Sequence, residues 1–250
     1  EATAAIYFLK MNINEGAEYP IFNEFYYTVE RLFDDNFQLE GLSYLSYDLG
    51  DIDGDNDYDF LVTGFGFEGY KTILFENIAG EADSNGELFR VTNNNFDAVR
   101  EGTASFVDVD GDGAQDIVFT GQSESGDAFT VYKNIGNIDN FPVIDMGLPG
   151  IRKSNISWGD ITGNGYFDLL YSGTIQGEGR TTRISEFNPE TKIFEDSSFD
   201  VSKYLDASIA FGNFDGDADL DFVLTGENAN SDSNQIEYIS DIYINVRSED

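Results

Sequence analysis

The chain has 250 residues and carries 48 acidic against 13 basic side chains, a formal net charge of −35; such a surface repels phosphate backbones and anionic headgroups, which excludes nucleic-acid binding and argues against membrane insertion. It has no cysteine and no histidine, so disulfides, thiol nucleophiles and imidazole bases are excluded, and any metal must be a hard cation held by oxygen. Hydrophobic residues make up 40%, among them 22 Phe and 14 Tyr, enough apolar surface for a folded core.

In chain order, residues 1–45 read as a degenerate repeat, with strands expected over Ala5–Met11 and Phe25–Glu30 and with Phe22, Phe25, Tyr26 and Tyr27 as strand packing. The opening Glu-Ala-Thr-Ala-Ala lacks the basic and apolar regions of a secretion signal, which implies a cytosolic or a trimmed chain. No apolar run reaches the roughly 18 residues of a membrane span. From residue 46 onward the chain repeats itself. DIDGDNDYDFLVTG begins at Asp51, DVDGDGAQDIVFTG at Asp108, DITGNGYFDLLYSG at Asp160 and NFDGDADLDFVLTG at Asn213, at spacings of 57, 52 and 53 residues. Each ends in glycine at its fourteenth position: Gly64, Gly121, Gly173 and Gly226. The repeats are expected over residues 46–102, 103–154, 155–207 and 208–250 of a single domain.

Around each polar loop the pattern is β. An apolar residue stands two places before it (Leu49, Phe106, Trp158, Phe211) and another at its second position (Ile52, Val109, Ile161, Phe214). A third strand follows over Thr72–Asn77, Phe129–Asn134 and Asp241–Asn245, and a fourth near Phe89, Phe141 and Phe194. Trp158 shares its position with Leu49, Phe106 and Phe211, which makes it core packing rather than a sugar platform. Four-stranded antiparallel meanders of this kind cannot bury both faces alone, and radial stacking solves their edge-strand problem. The expected fold is therefore an all-β propeller with four clear blades and a partial or degenerate N-terminal one; a five-bladed ring and a piece of a larger ring both remain open.

Within each loop, side-chain oxygens fall at positions 1, 3, 5 and 9, and position 7 offers a backbone carbonyl. The ligand sets are Asp51, Asp53, Asp55, Asp57 and Asp59; Asp108, Asp110, Asp112, Ala114 and Asp116; Asp160, Thr162, Asn164, Tyr166 and Asp168; and Asn213, Asp215, Asp217, Asp219 and Asp221. Many protein oxygens on a tight flexible loop suit calcium, which takes six to eight of them, better than magnesium, which keeps its waters. Three to four structural calcium ions are expected. An EF-hand is excluded, because position 12 is Val62, Phe119, Tyr171 or Leu224 instead of glutamate and the flanks are strands. Glycine at position 4 (Gly54, Gly111, Gly163, Gly216) implies left-handed backbone there. At position 6, Asn56 tolerates that geometry and Ala218 less so, which points to a distorted fourth loop. The third loop, with two carboxylates, is expected to bind most weakly.

These loops resemble the FG-GAP and VCBS repeats of integrin α-subunit head propellers and of many secreted bacterial proteins, over roughly residues 40–250. The resemblance implies structural calcium in each blade, an extracellular or cell-surface setting, and adhesion or ligand binding. The third loop departs from the pattern through Thr162 and Asn164. A protein or carbohydrate ligand is expected on the rim opposite the calcium loops, where the turns FGFEGYK, QSESGD, TIQGEGR and ENANSDSNQ vary. Phe65, Phe67, Tyr70 and Arg180 are the candidate contacts, weighed against being ordinary exposed turn residues. No acidic pair outside the loops marks a catalytic site, so a binding or adhesion module is expected, with part of a polysaccharide-degrading enzyme or a bare scaffold as alternatives.

Overall fold

The computed structural model describes residues 42–79, 88–199, 201–217, 219–228 and 238–246. The strands expected over Ala5–Met11 and Phe25–Glu30, the aromatic cluster from Phe22 to Tyr27, residue Ala218 and most of the turn after Glu227 lie outside these residues. The chain divides into two compact units, Glu1–Phe37 with Ile78–Phe89 and Gln38–Asn77 with Arg90–Asp250. The second unit holds the four loops.

The described residues contain strands and no helix. A first meander runs β1 (Ser43–Gly50), β2 (Asp59–Gly66), β3 (Gly69–Asn77) and β4 (Phe89–Val91). A second runs β5 (Ala104–Val107), β6 (Asp116–Ser123), β7 (Gly126–Tyr132) and β8 (Val143–Ile144), and a third β9 (Ile151–Gly159), β10 (Asp168–Ile175), β11 (Gly179–Asn188) and β12 (Ile193–Asp196). The last comprises β13 (Tyr204–Gly212), β14 (Asp221–Asn228) and β15 (Tyr238–Tyr243). Every pairing within a meander is antiparallel, and the second and third meanders are joined through one pair, Ala128 with Ile151.

The second strand of each of the first three meanders opens on three consecutive apolar residues after its aspartate and is buried along nearly its whole length, as a strand covered on both faces is. Its alternate side chains serve two different cores. In β6, Ile117 and Phe119 join Leu61, Leu74 and Phe106 between the first and second meanders, while Val118 joins Ile156, Leu169 and Tyr171 between the second and third. In β10, Leu169 and Tyr171 face back, and Leu170 faces forward to Tyr204, Phe222 and Leu224. The period-two alternation of a strand thus makes the second and third meanders each share a core with the one before and the one after it. Trp158 packs into this interior, its ring 5.9 Å from Phe194, and its indole N–H donates to Ser105 Oγ at 3.1 Å. Equivalent positions differ where no meander precedes them among the described residues: Phe106 is 8% exposed and Leu49 is 56% exposed.

The glycine at position fourteen has a specific cause. Seven residues before each loop the backbone turns left-handed, at Tyr44 (φ 50°), Glu101 (53°), Lys153 (49°) and Asp206 (44°). The register of β1 on β2, β9 on β10 and β13 on β14 slips next to that residue, and the first strand kinks over its partner. A Cβ on Gly121 would lie 2.6 Å from the Arg100 carbonyl oxygen, and one on Gly173 2.9 Å from that of Arg152. Only a hydrogen fits beneath the kink.

Candidate metal centre

Each loop leaves its first strand and re-enters the second in one register. Gly50 pairs with Asp59, Val107 with Asp116, Gly159 with Asp168 and Gly212 with Asp221. The ninth-position aspartate therefore opens the buried strand, and all four are buried themselves. Each uses its two oxygens on two backbone amides. Asp59 accepts from Ile52 N and Asn77 N, both at 2.9 Å. Asp116 accepts from Val109 N (3.2 Å) and Asn134 N (2.7 Å), Asp168 from Thr162 N (2.9 Å) and Phe187 N (3.1 Å), and Asp221 from Phe214 N (2.7 Å) and Asn245 N (2.8 Å). One carboxylate thus staples the start of the loop to the end of the third strand.

The remaining loop aspartates wind the turn. Asp51 accepts from Gly54 N (2.8 Å) and Asn56 N (3.0 Å), Asp108 from Asp112 N (3.0 Å) and Gly113 N (2.8 Å), and Asp160 from Asn164 N and Gly165 N (both 2.9 Å). Asn213 accepts from Gly216 N at 2.7 Å. Asp53, Asp55, Asp112, Asn164, Asp215 and Asp217 each accept from the amide two residues on, the local bond by which Asx side chains hold a turn. Position 4 is left-handed in all four loops, and so is position 6 at Asn56, Gly113 and Gly165.

Carboxylate oxygens of Asp51, Asp53 and Asp59 lie within 4.8 Å of one another, as do those of Asp108, Asp110 and Asp116, so either triad can hold a metal ion. The first loop carries the marks of a cation site. Asp57 Oδ1 is buried with no hydrogen-bond partner. Burial and then the like charges of Asp55, Glu76 and Asp51 push Asp53 above the ordinary carboxylate range, and Asp57 is raised in the same way. Burial lifts Asp59 to about 6. Carboxylates gathered against such repulsion, with an oxygen left over, match what a hard divalent ion requires.

The second loop has the same spacing and different surroundings. Lys133 Nζ lies between its carboxylates, 2.7 Å from Asp110 Oδ1, 2.8 Å from Asp112 Oδ2 and 3.4 Å from Asp116 Oδ1. Its hydrogen bond holds Asp112 below the usual range, while burial still lifts Asp116 to about 6. In the third loop the Thr162 hydroxyl donates to Asp168 Oδ2 at 3.0 Å, and Tyr166 turns its ring toward Phe187. In the fourth, the Asn213 side-chain amide donates to the Asp217 carbonyl. Neither of these two loops brings three carboxylates together among the described residues.

Two groups of residues were not legible as functional from the sequence. Asn134 Nδ2 donates to the carbonyls of Ile52 (2.7 Å) and Gln115 (3.0 Å), and Asn245 Nδ2 donates to that of Ile161 (2.9 Å). Each clamps the loop of the preceding meander. The signal was an asparagine closing third strands, at Asn77, Asn134 and Asn245. Lys133 is the other, a cation where the first repeat has Glu76.

At the opposite ends of the strands, the structure brings Phe65, Phe67 and Tyr70 together on the β2–β3 turn and leaves Arg180 apart on the turn from β10 to β11. Phe65 and Tyr70 meet edge to face at 5.3 Å. The Arg100 guanidinium lies over both rings, at 5.1 and 5.4 Å, and over Tyr44 at 5.9 Å, while it donates to Gln122 Oε1. Phe67 projects from the turn, 98% exposed. Tyr70 also walls a groove of about 360 Å³ lined by Phe96, Asp97, Ser123 and Glu124.

Compared with known proteins, the chain matches no family model and no curated protein.

Proposed function

We propose that the chain is a calcium-binding β-propeller of the FG-GAP and VCBS kind, or a run of its blades, that serves as a secreted or cell-surface binding module for a protein or carbohydrate. The observation that carries this reading is the first loop, where Asp51, Asp53 and Asp59 converge and Asp57 Oδ1 is buried without a partner. Calcium would be held there by these carboxylates, and it would supply the positive charge that lets them share one turn. Its role is structural: the ion ties the first strand of a blade to the second.

Several features favour blades. Each meander shares a core with its neighbours, and β1 lends side chains to the β5 amides, Ser46 Oγ accepting from Ala104 N at 3.0 Å and Asp48 Oδ2 from Phe106 N at 2.9 Å. Leu49 and Tyr47 on β1 and Phe214 and Ile242 in the last meander present apolar surface on which further sheets would pack. Loops of this type fill at the millimolar calcium of extracellular fluid, with Kd of about 10⁻⁴ to 10⁻³ M. A partner would dock on the rim of the β2–β3 turn, with Phe67 as an exposed anchor on the turn whose Tyr70 walls the acidic groove.

Thermal unfolding with excess calcium and with a chelator tests the metal. Binding stabilises by about 2.7 kcal/mol per site at a hundredfold excess over Kd, so chelation is expected to lower Tm by several degrees. An unchanged Tm would reduce the loops to acidic turns. For the partner, a protein retained on glycan or extracellular-protein arrays, with retention lost in Phe67→Ala, supports the rim; retention unaffected by that change would move the site elsewhere.

A further inference from the structure

The first and second loops diverge at one residue of the third strand. Asn77 N and Asn134 N bond to Asp59 and Asp116 in the same way, so the residues before them, Glu76 and Lys133, occupy equivalent places. In the first repeat this place carries a negative charge, and Glu76 pairs with Arg90. In the second it carries an ammonium whose side chain is only 14% exposed and which touches Asp110, Asp112 and Asp116. Lys192 adds a second cation, its Nζ 3.5 Å from the Asp110 carbonyl oxygen and over the rings of Tyr166 and Phe187. With 13 basic residues in the chain, two at one loop is a concentrated placement.

We propose that Lys133 is a tethered cation that takes the place of the metal ion in the second loop, so that this loop is closed by the chain itself while the first requires a divalent ion. The inference rests on the calcium reading above. A calcium ion sits about 2.3 to 2.6 Å from its oxygens, and of the three carboxylates that converge at the second loop, Asp108, Asp110 and Asp116, the last two already lie around Nζ, with Asp112 as its third contact. Ammonium and ion cannot share that volume, because each would face the other's charge across the shared carboxylates of Asp110 and Asp116. The tether favours the ammonium. A side chain anchored on the adjacent strand acts at an effective concentration of at least millimolar order, whereas a weak loop meets free calcium at about its own Kd. The chain therefore binds fewer ions than it has loops, and calcium withdrawal loosens the first repeat while the second stays wound.

Calcium titration of the full chain by calorimetry decides this, using the wild type, Asp110→Asn, Lys133→Met and Lys133→Met/Asp110→Asn. The expected result is that Asp110→Asn leaves the wild-type stoichiometry unchanged, Lys133→Met gains one ion, and the double variant loses that ion again. Loss of an ion in Asp110→Asn alone, or a folded Lys133→Met with no gain, overturns the proposal while leaving calcium binding intact. If neither wild type nor Lys133→Met binds calcium, the calcium reading fails and the proposal with it. Should Lys133→Met not fold, Asp110→Asn on the wild type decides alone: an unchanged count supports the tethered cation and a lost ion overturns it.

Discussion

The loop at Asp51 and the loop at Asp108 have the same length, the same left-handed turns and the same buried aspartate at the strand entry, yet they solve the problem of crowded charge in opposite ways. In the first, burial and the like charges of Asp51, Asp55 and Glu76 push Asp53 and Asp57 above the ordinary carboxylate range. In the second, Lys133 reaches three carboxylates from the adjoining strand. On the proposed reading, a repeated backbone device takes either a diffusible or a tethered cation. The choice rests on one residue that lies outside the loop motif.

The largest effect is expected from Asp116→Ala. The change strips acceptors from Val109 N and Asn134 N and leaves Lys133 with fewer counter-charges in a buried site, a loss of about 3–5 kcal/mol by urea unfolding. Added calcium should not restore it. A loss below about 1 kcal/mol would mean that the staple is not what holds the second loop.

A pH series sharpens the comparison next. Burial raises Asp59 and Asp116 to about 6 from an ordinary 3.8, so the fold prefers their neutral forms. Without calcium that stabilisation is complete below about 3.8 and is lost as pH rises through 6. Calcium needs the ionised form, so at Asp59 it reverses the trend. Thermal melts in chelator should therefore fall from pH 5 to 7, and the calcium-induced rise in Tm should grow over the same interval. A calcium effect independent of pH would take Asp59 out of the ligand set.

The smallest of these effects belongs to the clamp between meanders. Asn134→Ala removes three side-chain hydrogen bonds, two that Nδ2 donates to Ile52 O and Gln115 O and one that Oδ1 accepts from Gly136 N, and is expected to cost about 1–3 kcal/mol. Because Ile52 lies in the first loop, the variant should also weaken calcium binding there. A stability loss with unchanged affinity would separate the clamp from the metal centre.

Much of the fold could be read from the sequence because its causes are local. Asp, Asn and Gly at fixed intervals wind a turn by themselves, and the short apolar run behind Asp59, Asp116, Asp168 and Asp221 announces a strand. Glycine at position fourteen was visible as a repeat but not explained, since the residues that kink over it, Tyr44, Glu101, Lys153 and Asp206, share no chemistry that would announce left-handed backbone. Lys133 and Asn134 were read only as the end of a strand. Their partners lie about 20 to 80 residues away, and only the register of β6 on β7 aims them at the loops. Phe65 and Tyr70 looked like free rim aromatics because nothing local ties them to Arg100, which covers both. Tertiary partners, rather than propensity, decided each of these cases.

The most direct test of the contrast is to count calcium ions on the folded protein by native mass spectrometry for the wild type, Asp53→Asn and Asp110→Asn. One ion fewer in Asp53→Asn and an unchanged count in Asp110→Asn is the predicted result. An equal loss in both variants, or no ion on the wild type, would contradict it.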